Sequence, residues 1–407
     1  MTPLDVAAVR SGFPALAHGR PDAYLDGPGG TQVPAPVIEA IRGAMAAGMG
    51  NVGGRFDRSH ASDVIVASAR DAVADLFDAD PDEVVFGQNM TSLTFSFSRA
   101  IARRWVPGDE IVITRLDHDA NVTPWRLAAA DRGARVRLVD FDPADGTLAF
   151  DSFERALGPR TRLVAITAAS NALGTVTPLP QLVEAVHRVG ALVYVDAVHF
   201  SAHRVLSFRK LGADFIAASS YKFFGPHTGM VIGKAEHLAE LEPYKVVPAP
   251  EQGPERWETG TQSFESLAGV AAAVDYLASL GTGADRRERL VSAFTRIREH
   301  ETGLALRFLA GLSEIPAVRV YGLSDPLRVD DRVATFALDV EGVAPRGVTT
   351  RLAEKGIYAW DGDYYAVGVM EHLGKSQTGL VRIGFVHYNT TDEVDRALAA
   401  LDEISSR

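Results

Sequence analysis

Residues 215–229 read FIAASSYKFFGPHTG: a mostly apolar run, two serines, a tyrosine and Lys222, then a turn that carries glycine. Lysine is among the residues least often buried without a partner, so its place at the end of a core strand asks for a chemical reason. Partial desolvation lowers a lysine pKa and leaves the amine neutral and nucleophilic near neutral pH. Such an amine condenses with carbonyl compounds. The plainer alternative is a lysine that reaches solvent from the strand end, and the stretch by itself leaves both open.

The same texture extends to either side. Short β-rich runs at 83–87 (EVVFG), 110–116 (EIVITRL), 135–141 (RVRLVDF), 162–170 (RLVAITAAS), 191–198 (ALVYVDAV), 214–220 (DFIAASS) and 229–233 (GMVIG) alternate with amphipathic segments such as TPLPQLVEAVHRVG at 177–190. Near-continuous Val, Ile and Leu runs between helical segments imply an α/β fold with a mostly parallel, seven-stranded sheet covered on both faces. The final pair, around the FGPHTG turn, is the candidate for antiparallel pairing. From about 265 the pattern changes. A long helical segment over 265–313 leads to AVRVYGL, RVATFALDV, a helix near 345–355, GIYAW, GLVRIGF and a last helix at 390–405. This predicts a smaller α+β C-terminal domain over 265–407, a large domain over 21–264, and an N-terminal arm over 1–20 that packs on the small domain.

Composition narrows the classes. A chain of 407 residues favours two domains over a single core. The formal charge of −11 argues against a nucleic-acid or anionic-membrane partner, because phosphate binding needs clustered Lys and Arg. No apolar run reaches the roughly 18–20 residues of a membrane span. The N-terminus has no basic stretch followed by an apolar one, so no secretion signal is read there and a cytoplasmic protein is expected. Cysteine is absent, which excludes disulfides, thiolate metal sites and a cysteine nucleophile. No metal centre is expected.

In open parallel sheets ligands bind beyond the carboxyl ends of the strands. After the first strand, GQNMTSLTFSF places Thr91 and Ser92 at a helix start, where free amides and the dipole favour a phosphate; plain capping explains the same residues. The second strand ends at RLDHDANVTPW, with His118 as a stacking or proton-transferring group or a surface histidine. Asn171 follows the fourth strand, where it either faces the sheet mouth or closes a turn. The fifth ends in Asp196, followed by His199. A carboxylate at the end of a buried strand needs a cationic or hydrogen-bonding partner, which a protonated ring nitrogen of a cofactor, a helix cap or an arginine would supply. A phosphate-suited helix start, an Asp able to hold a pyridinium and a lysine after a later strand are together the three groups that pyridoxal phosphate requires.

With these residues in view, the chain resembles the class V aminotransferase family of fold-type I pyridoxal-phosphate enzymes, and within it the cysteine-desulfurase-like branch. YLDGPGGTQVP (24–34) resembles the family's Y-L-D-x-A opening, DHDANVTPW its H-x-A-N-x-x-P-W, and SNALGTVTPL its S-N-x-x-G-x-x-x-P. VDAVHFSAH, SSYKFFGPHTG, ETGTQSF and VRIGFVHYNTTDEVD resemble the aspartate, lysine, E-x-G-T and closing R-x-S-x-x-x-Y-N motifs. The resemblance covers nearly the whole length. It implies that Lys222 forms the internal aldimine and moves the Cα proton. Asp196 would hold the pyridine nitrogen, His118 would stack on the ring, and Asn171 and His199 would contact the phenolic oxygen. Met90, Thr91, Ser219 and Tyr221 would line the phosphate, with Tyr221 departing from the usual histidine. Gly260 and Thr261 would reach the phosphate of a neighbouring subunit in a homodimer with shared sites. Arg382 would hold the α-carboxylate of an amino-acid substrate, a role that guanidinium suits.

One departure changes the chemistry. Desulfurases carry a cysteine in a late loop, and the matching stretch here is WDGDYYA (360–366), with Tyr365 at the cysteine's place and Trp360 at an arginine's. With no cysteine the persulfide route is closed. The expected activity is β-elimination of the C–S lyase type, with Tyr364 or Tyr365 as acid, second-face proton donor or pocket wall. Epimerisation or racemisation, transamination and a non-catalytic pyridoxal-phosphate-binding protein are the alternatives.

Overall fold

A computed structural model describes residues 3–17, 19 and 21–406. Its large sheet has seven strands in the spatial order Val84–Gly87, Gly229–Gly233, Phe215–Ser219, Leu192–Asp196, Thr161–Thr167, Glu110–Thr114 and Arg135–Val139. All neighbours are parallel except Gly229–Gly233, which runs antiparallel to both its neighbours. The strand interiors are apolar because both faces are covered. Val164, Ile166, Val193, Val195 and Ile216 enter one core. Their alternates Leu163, Ala165, Tyr194 and Phe215 enter the core on the other face. The edge strand Arg135–Val139 is the exception. Its first four residues are exposed, which accounts for its alternating arginines, one of which, Arg137, forks onto Glu110 at 2.7 Å.

The second sheet is four-stranded and antiparallel, in the order Trp360–Gly362, Leu380–Gly384, Thr335–Val340 and Val318–Tyr321. Its core centres on Phe308, Phe336 and Phe385, packed edge to face. The helical segment expected over 265–313 is two helices, Phe264–Ser279 and Arg286–Ser313. The turn between them contains Gly281 and Gly283, and Asp285 restarts the helix by accepting from the Glu288 amide at 2.8 Å. The second of these helices serves both cores: Leu290, Phe294 and Ile297 belong to the large one, Leu304, Phe308 and Leu312 to the small one.

Ala23–Tyr24 pairs in parallel with Ile357–Tyr358, and Ala23 and Leu25 sit in the core of the small sheet. Upstream, Phe13 is fully buried against Phe224, Tyr276, His387 and Tyr388, while Arg10 pairs with Glu393 at 2.9 Å. Residues 1, 2, 18 and 20 of the arm lie outside the described residues, as does 407.

The two sheets meet at the carboxyl end of Thr161–Thr167. Gly174, at φ +77°, sits so close to the backbone of Val333 and Thr335 that a side chain there would collide with it. Arg332 is buried beside it and donates to the carbonyls of Leu173, Leu323 and Thr335. Among the described residues no helix is long and apolar enough to cross a membrane.

Candidate active site

Register at the sheet's carboxyl edge places the chemistry. Thr167 is level with Asp196, and Asp196 with Ala217. The ends of three neighbouring strands therefore open on one hollow, lined by Asn89, Met90, Thr91, His118, Asn171, Asp196, His199, Ser219, Tyr221 and Lys222 among others. Nine of the residues expected from sequence share this single cavity.

Lys222 closes the 3₁₀ turn Ser220–Lys222 that ends the strand. Its Nζ donates to the carbonyls of Pro28 and, at 3.0 Å, Gly29. Burial, helped by the Arg382 charge and opposed by Asp196 and Asp26, lowers its pKa from 10.5 to about 7. Asp196 is buried and accepts from the Val198 amide at 2.9 Å. Burial raises its pKa to about 6, against the Val198 hydrogen bond and the Lys222 charge. A carboxylate in such a place is stabilised by a cation that arrives with a ligand.

His118 accepts from the Ala120 amide at Nδ1, 3.0 Å away, which leaves the proton of the neutral ring on Nε2. Burial and the charges of Lys222 and Arg382 lower its pKa to about 4, so the ring is neutral at pH ~7. Asp117 braces this segment. It is buried, accepts from Thr114 and from Asn121 Nδ2 at 2.8 Å, and burial holds its carboxyl well above the usual range. His199 bonds through Nε2 to Thr335 Oγ1 at 2.9 Å and is kept neutral, first by burial and then by the neighbouring His203. Asn171 donates from Nδ2 to the Tyr364 carbonyl at 3.0 Å, while its Oδ1 is buried with no partner among the described residues.

At the opposite end, Asn89 caps the helix Met90–Ala102 by accepting from the Ser92 amide at 2.9 Å, and Ser219 Oγ accepts from the Met90 amide at 3.1 Å. Thr91 faces the cavity, whereas Ser92 turns to a separate hollow with His227, Gly260 and Thr261. Gly260 and Thr261 therefore do not line the Lys222 cavity of their own chain. Tyr221 lies flat against His227, ring centres 4.9 Å apart.

Arg382 stands on Leu380–Gly384, is buried, and donates to the Asn171 carbonyl at 3.0 Å. Burial lowers its pKa to about 10. Trp360 lies opposite it in the sheet register, 55% exposed, with its indole against Gly29. Tyr365 is 70% exposed and stacks on His118 at 5.4 Å. Neither tyrosine nor tryptophan of this loop enters the cavity lining. Sequence reasoning missed Asp26 and Asp117, and it read Tyr364 only as an acid, a second-face proton donor or a pocket wall. Burial raises the Asp26 pKa against the fields of Arg382 and Lys222, and its Oδ1 is buried and unpaired among the described residues. The signal for Asp26 and Asp117 was a carboxylate within motifs otherwise read only for pattern.

These groups fit pyridoxal phosphate. A near-neutral amine and a buried carboxylate with room for a cationic partner face one hollow, an unpaired amide oxygen sits in its wall, and a helix start stands at one end. Comparisons with known proteins agree. The family model for Aminotransferase class-V matches residues 23–397. An uncharacterised protein of Mycobacterium tuberculosis is 32% identical over 98% of both chains. A probable cysteine desulfurase of Mycolicibacterium paratuberculosis is 33% identical over 98% of this chain, which spans 58% of that longer protein. The apo structure of the cysteine desulfurase from Thermococcus onnurineus NA1 superposes with a TM-score of 0.90 at 26% identity, covering 100% of this chain and 99% of that one. The chain belongs to the class-V aminotransferase family, in its cysteine-desulfurase-like branch, and is a pyridoxal-phosphate-dependent enzyme.

Proposed function

We propose that the enzyme removes a Cβ substituent from an amino acid, as a C–S or related β-lyase, without carrying sulfur on itself. The observation that carries this reading is a lysine with a pKa of about 7 beside a buried arginine, in a chain with no cysteine to accept a persulfide. Pyridoxal phosphate, when bound, supplies the electron sink for a bond broken at Cα. Lys222 holds the cofactor and then takes the Cα proton with its amine, since the free base predominates above pH ~7. Asp196 would hold the ring nitrogen and favour its protonated form, His118 would cover the ring, and Asn171 and His199 would serve the phenolic oxygen. Met90, Thr91, Ser219 and Tyr221 serve the phosphate. Arg382 grips the α-carboxylate.

A second copy of the chain completes the site through Gly260 and Thr261. Those residues border a broad hollow lined by Val52 and Val246, which are 46% and 69% exposed, with Val247 beside them 93% exposed. Apolar residues left in solvent next to residues with a phosphate role support a homodimer, and light scattering on the holoenzyme tests it. For the reaction, the holoenzyme is incubated with a panel of amino acids. Pyruvate and ammonia support the lyase. Cα deuterium exchange with loss of optical purity means epimerisation, pyridoxamine phosphate means transamination, and no spectral response to any amino acid leaves a binding protein.

A further inference from the structure

The loop that stands where desulfurases keep their nucleophile is held in a costly conformation. Tyr364 and Tyr365 are consecutive non-glycine residues at φ +52° and +58°, in the left-handed region that residues with a Cβ disfavour. Four hydrogen bonds keep them there. Ala366 N and Tyr365 N donate to Asp363, at 2.7 Å to its carbonyl and 2.9 Å to its carboxylate. Asn171 Nδ2 donates to the Tyr364 carbonyl at 3.0 Å, and the Asp119 amide to the Tyr365 carbonyl at 2.7 Å. The result is that the two side chains part company. Tyr365 turns out to solvent, and Tyr364 turns in.

The inward ring lies under the Arg382 guanidinium, with Cζ 4.4 Å from the ring centre. Its hydroxyl donates to the Leu380 carbonyl. Arg382 donates in turn to the Asn171 carbonyl at 3.0 Å, and Asn171 donates to the Tyr364 carbonyl. Tyr364, Asn171 and Arg382 thus form a closed cycle of contacts. Its members come from three places: the strained loop, the end of the large sheet and the centre of the small one. The ring covers one face of the guanidinium and Asn171 takes one Nη1 proton. The other N–H groups have no acceptor among the described residues and stay available to a carboxylate.

From this cycle we infer that Tyr364 is a positioning residue that holds the carboxylate clamp in register with Asn171, and not a proton donor to the substrate. A phenol whose proton is committed to a buried carbonyl is poorly placed to protonate a leaving group, and burial raises its pKa further. The inference rests on the reading of Arg382 as the α-carboxylate clamp.

Holoenzyme is titrated with L-alanine, and with methylamine as a probe that has the amine but no carboxylate; binding is read from the cofactor's absorbance band. Y364L, which removes the aromatic face, raises the apparent Kd for L-alanine by about tenfold, the scale of a buried cation–π contact. It leaves methylamine within about twofold. Y364F keeps the face and stays within about threefold for both probes. If Y364L does not give soluble holoenzyme, Y364M carries the same expectation. Equal weakening of both probes, or none, overturns the inference. So does a Y364F enzyme that binds L-alanine normally yet loses about 100-fold or more in Cα deuterium exchange, because that behaviour belongs to a proton-transfer group. R382M separates the two readings. If R382M does not weaken L-alanine selectively, the clamp reading itself fails; if it does while Y364L and Y364M bind normally, only the role of Tyr364 falls.

Discussion

Replacing Lys222 by methionine should stabilise the apoprotein near pH ~7.5, by an amount that shrinks as the pH rises. In the folded chain the amine has a pKa of about 7, against 10.5 for an ordinary lysine. Between those values the unfolded chain binds the proton and the folded chain does not, so folding stability rises with pH across that window. At 1.36 kcal/mol per decade, the lysine costs the fold about 4 kcal/mol at pH ~7.5 and about 1.5 kcal/mol at pH ~9.5. Methionine has nearly the same length and no proton to lose. It also abandons the carbonyls of Pro28 and Gly29, a loss of about 1–3 kcal/mol that does not vary with pH. The pH-dependent part isolates the titration. Urea unfolding of both apoproteins should show the stability difference shrinking by about 2.5 kcal/mol from pH ~7.5 to ~9.5. Asp196, with its pKa of about 6, stays ionised throughout that range. A difference that is flat across the range would mean that Lys222 keeps an ordinary pKa, and the account of its nucleophilicity would be wrong.

Other expectations are simpler. Asp196→Asn removes the only buried carboxylate lining the cavity among the described residues, and pyridoxal phosphate affinity measured by equilibrium dialysis should fall by about tenfold or more, the scale of a charge-assisted hydrogen bond. An unchanged affinity would remove the ring-nitrogen role. Gly229 abuts the start of the phosphate-end helix, where an added methyl carbon would sit 2.5 Å from both Asn89 Cα and Met90 N. Gly229→Ala should therefore cost about 1–3 kcal/mol and weaken cofactor binding together, read by thermal melting and dialysis; loss of stability with full affinity would mean that the helix start is not part of the site. Tyr365→Ala, at a residue 70% exposed, should change the unfolding free energy by less than about 0.5 kcal/mol. A larger loss would show that its stack on His118 is a structural support.

Much of this site could be read before any coordinates. Asp196 and Lys222 each follow an apolar run, and although a cap or a solvent-reaching lysine explains either one alone, their combination with a phosphate-suited helix start pointed to a cofactor. Register then brings Asp196 level with Ala217, two residues short of Ser219, as the order of the strands implies. Other features were hidden for physical reasons. A tyrosine gives no hint that its backbone is left-handed, so the opposite directions of Tyr364 and Tyr365 could not be read from two identical neighbours. The same holds for Ser92, which the cap turns away from the cavity while Thr91 faces it. The break at 280–285 was readable from two glycines and an aspartate, but apolar spacing on both sides masked it. The Asp26 carboxyl sits in the fields of Lys222 and Arg382, nearly two hundred and more than three hundred positions away, which local pattern cannot report.

The 28-residue helix Arg286–Ser313 has a consequence for how substrate gets in. Because its first half is rooted among Leu290, Phe294 and Ile297 and its second among Leu304, Phe308 and Leu312, it acts as a rigid spar through both halves of the molecule. Swinging the halves apart would tear one set of side chains from its bed. A substrate therefore enters with the two halves held at their present spacing, and what yields to it must be smaller than a swing of either half, such as the contact of Lys222 with the Pro28 and Gly29 carbonyls.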